Sequence, residues 1–177
     1  MVKKDSDLPQ VEIQEVFLPL LTTHKRYKLY HGGRGGGKSY AFADALLLLA
    51  RTKKLRILCV REVQDSIKNS VYQLLKDRCD MHGFFDFIFY EDRVVNSVTG
   101  STFIFKGMNN TNAANIKSLE GTDICWIEEA QVLSESSWNI LDPTIRKDGS
   151  EIWLSMNRKE EYDPVWKAIA VNPTNDA

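Results

Sequence analysis

The stretch YKLYHGGRGGGKSYAFADALLLLAR, residues 27–51, predicts a strand, a glycine-rich loop and a helix in succession. Tyr27–His31 is predicted as a short strand that runs into the glycines. Residues 38–51 are apolar almost all round, so the predicted helix must be buried on more than one side. Between the two, residues 32–39 fit the pattern GxxxxGK[ST]. Because a strand and a helix flank the pattern, we interpret it as a P-loop rather than a chance glycine-rich turn.

The chemistry of this loop points to phosphate. Glycines let successive backbone N–H groups converge on one concavity, which binds phosphate oxygens together with the helix N-terminus. We predict that Lys38 reaches the β and γ phosphates and that the Ser39 hydroxyl ligates Mg²⁺. Arg34 can neutralise phosphate charge in cis, and the alternative is a loop arginine that faces solvent. The predicted ATP-binding residues are Gly32, Gly33, Arg34, Gly35, Gly36, Gly37, Lys38 and Ser39.

A second motif ends the apolar run ICWIEEA, residues 124–130. Glu128 and Glu129 follow a predicted buried strand, at the sheet edge where open α/β folds bind nucleotides. This is the Walker B pattern, and we assign Glu128 to the metal and Glu129 to the attacking water. The alternative is a pair of solvated acids that open a loop. After the next predicted strand, Asn157 or its neighbour Ser155 can report nucleotide state, although a turn-forming Asn157 is an equal alternative.

Strands and helices alternate along the rest of the chain. A buried strand is predicted at 55–60, followed by a helix that includes Ile67 and stops at Gly83. Three short strands are predicted within 85–107, with a turn at Thr99-Gly100. The last predicted elements are a helix at 136–145 broken by Pro143, a strand at 151–157, and a helix begun by Asp163 and Pro164. This pattern predicts an α/β fold of the P-loop NTPase class: a mainly parallel central sheet flanked by helices, with a small antiparallel insertion.

The composition bounds the class of protein. The 177 residues, of which 43% are hydrophobic, predict one domain with one core, comprising an N-terminal segment at 1–26 and a core at 27–173. The 23 basic and 24 acidic residues produce no overall field that argues for nucleic acid or for a membrane surface. No apolar run is long enough to span a membrane, so we expect no membrane association.

Three groups of side chains are predicted to be structural. We interpret the cysteines as reduced core residues and the tryptophans as core residues, and we expect the two basic groups to be solvated helix ends and loops. These side chains are Cys59, Cys79 and Cys125; Trp126, Trp138, Trp153 and Trp166; and Lys25, Arg26, Lys28, Arg51, Lys53, Lys54 and Arg56.

Five segments together carry a family resemblance: GGRGGGKS, ILCVREVQDSI, IKSLEGTDICWIEEA, SSWNILDPTIRK and EIWLSMN. In this order, between residues 27 and 173, they resemble the ATPase domain of the large terminase subunit of tailed double-stranded DNA bacteriophages. The resemblance implies an ASCE-type P-loop ATPase that uses ATP and Mg²⁺. It also implies a ring on the portal protein that drives double-stranded DNA into the procapsid in the host cytoplasm, with the small terminase subunit as a further partner.

The resemblance also bears on single residues. It implies Arg34 as a cis-acting arginine, Glu129 as the catalytic carboxylate and residues 155–157 as the coupling motif. Arg61 is expected near the nucleotide or a neighbouring element. If a neighbouring subunit completes the site, Lys117 and Arg146 are candidates for the group it contributes, although each is more simply an ordinary surface charge.

The sequence departs from the family in two respects. Large terminases carry a C-terminal nuclease domain, which we expect to be absent here, and Glu128 stands where many P-loop ATPases have Asp. Two alternative functions stay open: another nucleic-acid-stimulated P-loop ATPase of helicase-like type, and a non-hydrolytic nucleotide-binding assembly module. Glu129 argues against the second alternative, because a binding module needs no carboxylate that polarises water.

Overall fold

A single seven-stranded sheet organises the computed structural model, which describes residues 11–63, 67–109, 119–157 and 163–171. Its strands are β1 (Tyr27–His31), β2 (Arg56–Arg61), β3 (Phe87–Phe89), β4 (Arg93–Asn96), β5 (Thr102–Gly107), β6 (Ile124–Glu128) and β7 (Glu151–Met156). The order across the sheet is β1-β7-β6-β2-β5-β4-β3.

Parallel pairing joins the first five strands of this order, and antiparallel pairing joins β5 to β4 and β4 to β3. The parallel strands are apolar runs because helices cover both of their faces. In β7, for example, all six residues are buried. The predicted fold class, a mainly parallel sheet with an antiparallel insertion, is confirmed.

The helices are α1 (Pro19–Thr22), α2 (Lys38–Thr52), α3 (Gln73–His82), α4 (Glu135–Thr144) and α5 (Pro164–Trp166). Short 3-10 turns lie at Glu15–Phe17 and Ala130–Val132, and π-helical turns at Lys68–Tyr72 and Lys167–Val171. The predicted stop after α3 is confirmed, because Gly83 adopts the left-handed conformation, with φ of 66°, that ends a helix.

Two helix predictions need correction. Pro143 does not break α4, since it lies in the last turn and the helix ends one residue later, at Thr144. A proline there removes only one backbone donor close to the end, where the helix stops in any case. Asp163 precedes α5 and Pro164 occupies its first position as predicted, but the Asp163 side chain makes no capping hydrogen bond.

The core has two halves, one on each face of the sheet. Under α2 and α3 it includes Phe42, Trp126 and Trp153, and under α4 and α5 it includes Leu154 and Trp138. Trp166 is only half-buried, with its ring edge-on to His31 at a centroid distance of 4.9 Å. The three cysteines are free and buried, as expected. None of the helices in the described ranges is long and apolar enough to cross a membrane.

The expectation that the basic groups are solvated is wrong for Lys28. Its side chain is buried on β1, with Nζ 2.7 Å from Glu151 Oε2 and 4.9 Å from the ring centroid of Trp153. The Lys28 ammonium also donates to the Leu20 carbonyl of α1, at 3.3 Å. Parallel pairing of β1 with β7 brings the lysine to its partners, which no local pattern reveals. Arg26 and Arg51 are likewise half-buried ion-pair partners, of Asp142 and Asp86 respectively.

We expect Lys28→Ala to lower the free energy of unfolding by about 3 kcal/mol, because it leaves the Glu151 carboxylate buried without its cation. Urea denaturation of the two proteins measures this loss. Arg146→Ala is the matched control: Arg146 pairs with Glu120 at 2.9 Å in an exposed position, so its removal costs less than about 1 kcal/mol. Equal small losses in the two variants would contradict a stabilising role for the buried pair.

Candidate active site

The carboxyl ends of β1, β6 and β7 meet at one edge of the sheet and form a cavity of about 280 Å³. The sequence-predicted residues from three separate segments line it together: residues 34–39, the pair Glu128 and Glu129, and residues 155–157. Tyr40 completes the lining. Parallel strands place their carboxyl ends on the same edge, so a loop after each strand contributes to one site.

The predicted phosphate-binding loop, residues 32–37, depends on two glycines in the left-handed conformation. Gly35 and Gly37 have φ of 80° and 71°, which L-residues adopt only at a cost of roughly 1–2 kcal/mol. Gly37 is also the residue from which α2 begins, so the free N–H groups of a 15-residue helix face the cavity. A helix N-terminus carries partial positive charge and favours an anion there.

Lys38 is held by the loop itself. Its ammonium donates to the carbonyl oxygens of Gly32 and Gly33, at 3.0 and 2.9 Å, and to Asn157 Oδ1, at 3.1 Å. The cation therefore lies between the loop and the end of β7, within the cavity lining. Arg34 lies in the exposed turn of the loop and also lines the cavity.

Ser39 and Glu128 form a pair suited to Mg²⁺. The Ser39 hydroxyl donates to Glu128 Oε1 at 3.2 Å, and hydroxyl and carboxylate oxygens are the hard ligands that this ion prefers. Glu128 Oε2 is buried and accepts no hydrogen bond within the described residues, although Arg61 Nε lies 2.9 Å away as an ion pair. The buried oxygen Oε2 therefore already lies beside a cation, the Arg61 guanidinium, and Oε1, which Ser39 shares, is the oxygen that fits a metal ligand. Burial raises the pKa of Glu128, an effect that Arg61 opposes and the neighbouring Glu129 reinforces.

The backbone of Glu129 is strained. With φ of 54° and ψ of 47° it is the one residue other than glycine that has a positive φ in the described ranges. It follows β6 directly and begins the 3-10 turn Ala130–Val132. Residues held in such sparsely populated conformations cost of order 1–3 kcal/mol and cluster at functional sites.

Arg61 connects the two carboxylates, and sequence reasoning did not assign it this contact. It ends β2, where Nε pairs with Glu128, Nη2 donates to Glu129 and Nη1 donates to Ser70 Oγ at 3.1 Å. The signal was present in the strand pattern. β2 and β6 are parallel with Val60 opposite Ile127, so the polar residues that follow these two lie side by side.

The end of β7 separates two residues that the sequence left as alternatives. The Ser155 hydroxyl is buried and accepts a hydrogen bond from Trp126 Nε1 at 3.0 Å. Asn157 instead contacts Lys38, and its backbone N–H donates to Gln131 Oε1 at 3.0 Å. Of the two alternatives Asn157 is thus the residue in contact with Lys38, and Gln131 is a neighbour that sequence reasoning missed.

Lys117 and Arg146 are the two candidates for a group that a neighbouring subunit contributes, and the structure places neither of them at this cavity. Lys117 lies outside the described residues. Arg146 lies shortly before the first residue of β7, whereas the cavity lies at the carboxyl end of β7. Arg146 is therefore at the opposite end of the strands from the cavity.

The fold and the site define a P-loop protein of the ASCE type, with β7 inserted between the loop strand β1 and the carboxylate strand β6. A family model described as phage terminase large subunit matches residues 24–176. The chain belongs to this family, and the resemblance found in the sequence is confirmed.

Individual relatives agree with this assignment. The PBSX phage terminase large subunit of Bacillus subtilis (strain 168) is 30% identical over 112 residues, which span 58% of this chain and 24% of that protein. The large terminase from a thermophilic bacteriophage superposes with a TM-score of 0.70 at 14% identity, over 90% of this chain and 42% of that one. The chain thus spans less than half the length of these relatives.

Three further solved structures concern the ligand and the domain. The same thermophilic-phage terminase was also solved in complex with ADP, and that structure gives a TM-score of 0.63 at 14% identity, over 82% of this chain and 39% of that one. Its complex with ATP-gamma-S gives a TM-score of 0.61 at 13% identity, over 82% of this chain and 38% of that one. The N-terminal domain of the DNA packaging ATPase of bacteriophage phi29 gives 0.65 at 13% identity, over 88% of this chain and 84% of that domain. At these identities the likeness shows the fold.

Proposed function

We propose that this chain is the ATP-hydrolysing motor domain of a phage terminase, which powers the translocation of double-stranded DNA into a procapsid. One observation carries the proposal: the phosphate-binding loop, the Ser39 and Glu128 pair and the strained Glu129 surround a single cavity. Family membership and the nucleotide complexes of the thermophilic-phage terminase support it.

The residues around the cavity have distinct roles in the proposed reaction, in which water attacks the γ phosphorus of ATP to give ADP and phosphate. The loop N–H groups and Lys38 hold the β and γ phosphates. To do so, the Lys38 ammonium gives up its hydrogen bonds to the Gly32 and Gly33 carbonyls and forms hydrogen bonds to phosphate oxygens instead. Arg34 neutralises charge in cis. Mg²⁺, held by Ser39 and Glu128, supplies further charge neutralisation on the phosphates when it is bound.

Glu129 is the proposed catalytic carboxylate, which orients the attacking water and accepts its proton. In the described structure Arg61 pairs with Oε2 of Glu129, so Oε1 is the oxygen proposed to accept the proton. Asn157 is the proposed coupling residue. It contacts Lys38 directly, so loss of the γ phosphate, which Lys38 binds, changes a contact at the end of β7.

The proposed partners follow from the family: double-stranded DNA, the portal protein, the small terminase subunit and further copies of the chain in a ring on the portal. The proposed location is the host cytoplasm, where packaging occurs. We propose one domain with its core at 27–173. The N-terminal segment packs onto this core, because its residues Phe17 and Leu20 are buried there.

Phosphate release from Mg-ATP by the 177-residue chain, measured with and without linear double-stranded DNA over a range of protein concentrations, tests the proposal. We expect turnover that double-stranded DNA stimulates. A rate per chain that rises with concentration would indicate a group contributed by a neighbouring copy. Stimulation by single-stranded DNA alone favours the helicase-like alternative, and ATP binding without any release favours the non-hydrolytic module.

A further inference from the structure

A buried acidic residue on α2 takes no part in the proposed reaction. Asp44 is 3% exposed and accepts two hydrogen bonds from Arg78 of α3: Nε to Oδ1 at 2.6 Å and Nη2 to Oδ2 at 2.5 Å. His82 Nε2 lies 3.0 Å from the same carboxylate. A bidentate pair of this kind holds the guanidinium in one plane, so Arg78 is fixed in orientation.

The fixed guanidinium lies against an aromatic ring at the cavity. Arg78 Cζ is 5.4 Å from the ring centroid of Tyr40, within the range of a cation–π contact. Tyr40 directly follows Ser39, is 57% exposed and lines the same cavity as Glu128 and Glu129. Arg78 thus supports the ring from one side, while more than half of the side chain stays accessible.

The composition of the cavity lining indicates which part of a nucleotide this ring contacts. In the proposed function the loop N–H groups and Lys38 hold the β and γ phosphates, and Glu128 and Glu129 serve the metal and the attacking water. The nucleoside must therefore extend to a part of the lining that these groups leave open. Tyr40 is the one aromatic side chain among the described residues that line the cavity.

We propose that Tyr40 is the base-contacting residue of the site, on whose ring the base of a nucleoside triphosphate stacks. This inference rests on the proposed function, since it requires a nucleotide in this cavity. Stacking uses the π-face that every base presents, and it adds affinity that an inorganic polyphosphate lacks. The Asp44 and Arg78 pair positions the ring for this contact.

Calorimetric titration of the 177-residue chain with ATP and with tripolyphosphate, both with Mg²⁺, tests the inference. We expect Tyr40→Ala to weaken ATP binding roughly tenfold or more, in line with the loss of one base–aromatic stack. Tripolyphosphate should bind the variant as it binds the wild type, which also verifies that the loop is folded. Tyr40→Phe, which keeps the ring, should bind ATP as the wild type does.

Tyr90→Ala is the matched control, because Tyr90 is also exposed (43%) but follows β3 at the far edge of the sheet. It should change neither affinity. Unchanged ATP binding by Tyr40→Ala, or equal losses for ATP and tripolyphosphate, would overturn the inference and leave the proposed function standing. Failure of the wild type to bind either compound would instead overturn the proposed function, and with it the inference.

Discussion

Glu129→Gln should reduce the turnover of ATP about a thousandfold while leaving nucleotide binding intact, since general-base groups typically contribute 10²–10⁴. The amide keeps the size of the side chain and still accepts a hydrogen bond from Arg61, but it does not accept a proton from water. The expected change corresponds to about 4 kcal/mol in the activation free energy. Steady-state phosphate release and calorimetric ATP binding, measured side by side, separate the two properties.

Glu128→Gln is the matched control for this experiment, because the same substitution is made one residue earlier. Glu128 contacts Ser39 and is assigned to the metal, so we expect its loss to raise the Mg²⁺ concentration needed for turnover. Glu129→Gln should keep its loss of turnover at every Mg²⁺ concentration. If Glu129→Gln retained the turnover of the wild type, the catalytic assignment would be wrong and the non-hydrolytic alternative would gain support.

Lys38→Ala should weaken ATP binding by a factor on the order of 10²–10³. Hydrogen bonds to charged groups contribute about 1.5–3 kcal/mol each, and the lysine is expected to contact two phosphates. Part of this gain is offset in the free protein, where the ammonium already contacts two loop carbonyls and Asn157. Calorimetric titration with a slowly hydrolysed ATP analogue measures the change in affinity.

The control for Lys38→Ala is Lys53→Ala, which removes a lysine at the opposite end of the same helix. Lys53 is exposed and caps the C-terminus of α2, so its removal should leave the affinity for the analogue unchanged. Similar losses in the two variants would indicate a general effect of charge rather than a phosphate contact by Lys38. Thermal unfolding of both proteins verifies that each variant is folded.

The elements that the sequence predicted well are those with strong local signals. β1 has the predicted bounds, and α2 begins at Lys38 as predicted, because a glycine-rich loop separates an apolar strand from an apolar helix. The stop at Gly83 followed from the same kind of signal. Helix ends that no glycine marks were predicted less accurately. Pro143, for example, disfavours a helix interior but is tolerated in the last turn of α4.

The candidate site likewise has residues that local motifs predicted and residues that they did not. GxxxxGK[ST] and the two glutamates identified the loop and the carboxylates, since each motif is contiguous in the chain. The sequence placed Arg61 near the nucleotide or a neighbouring element but did not assign its contacts with the two glutamates, and it missed Gln131. These contacts come from other strands and turns. Their chemistry depends on which strand lies next to which, and the order β1-β7-β6-β2 is a property of the whole sheet.

The sequence by itself determined the fold class and the family and predicted the residues of the phosphate-binding loop, because glycine conformations and apolar periodicity act over a few residues. Tertiary structure alone decided that one guanidinium, Arg61, meets both glutamates, that Asn157 rather than Ser155 contacts Lys38, and that Lys28 is buried. Those contacts join residues that are distant along the chain. They exist only because parallel pairing aligns the strand ends and helices cover the sheet, so no local pattern encodes them.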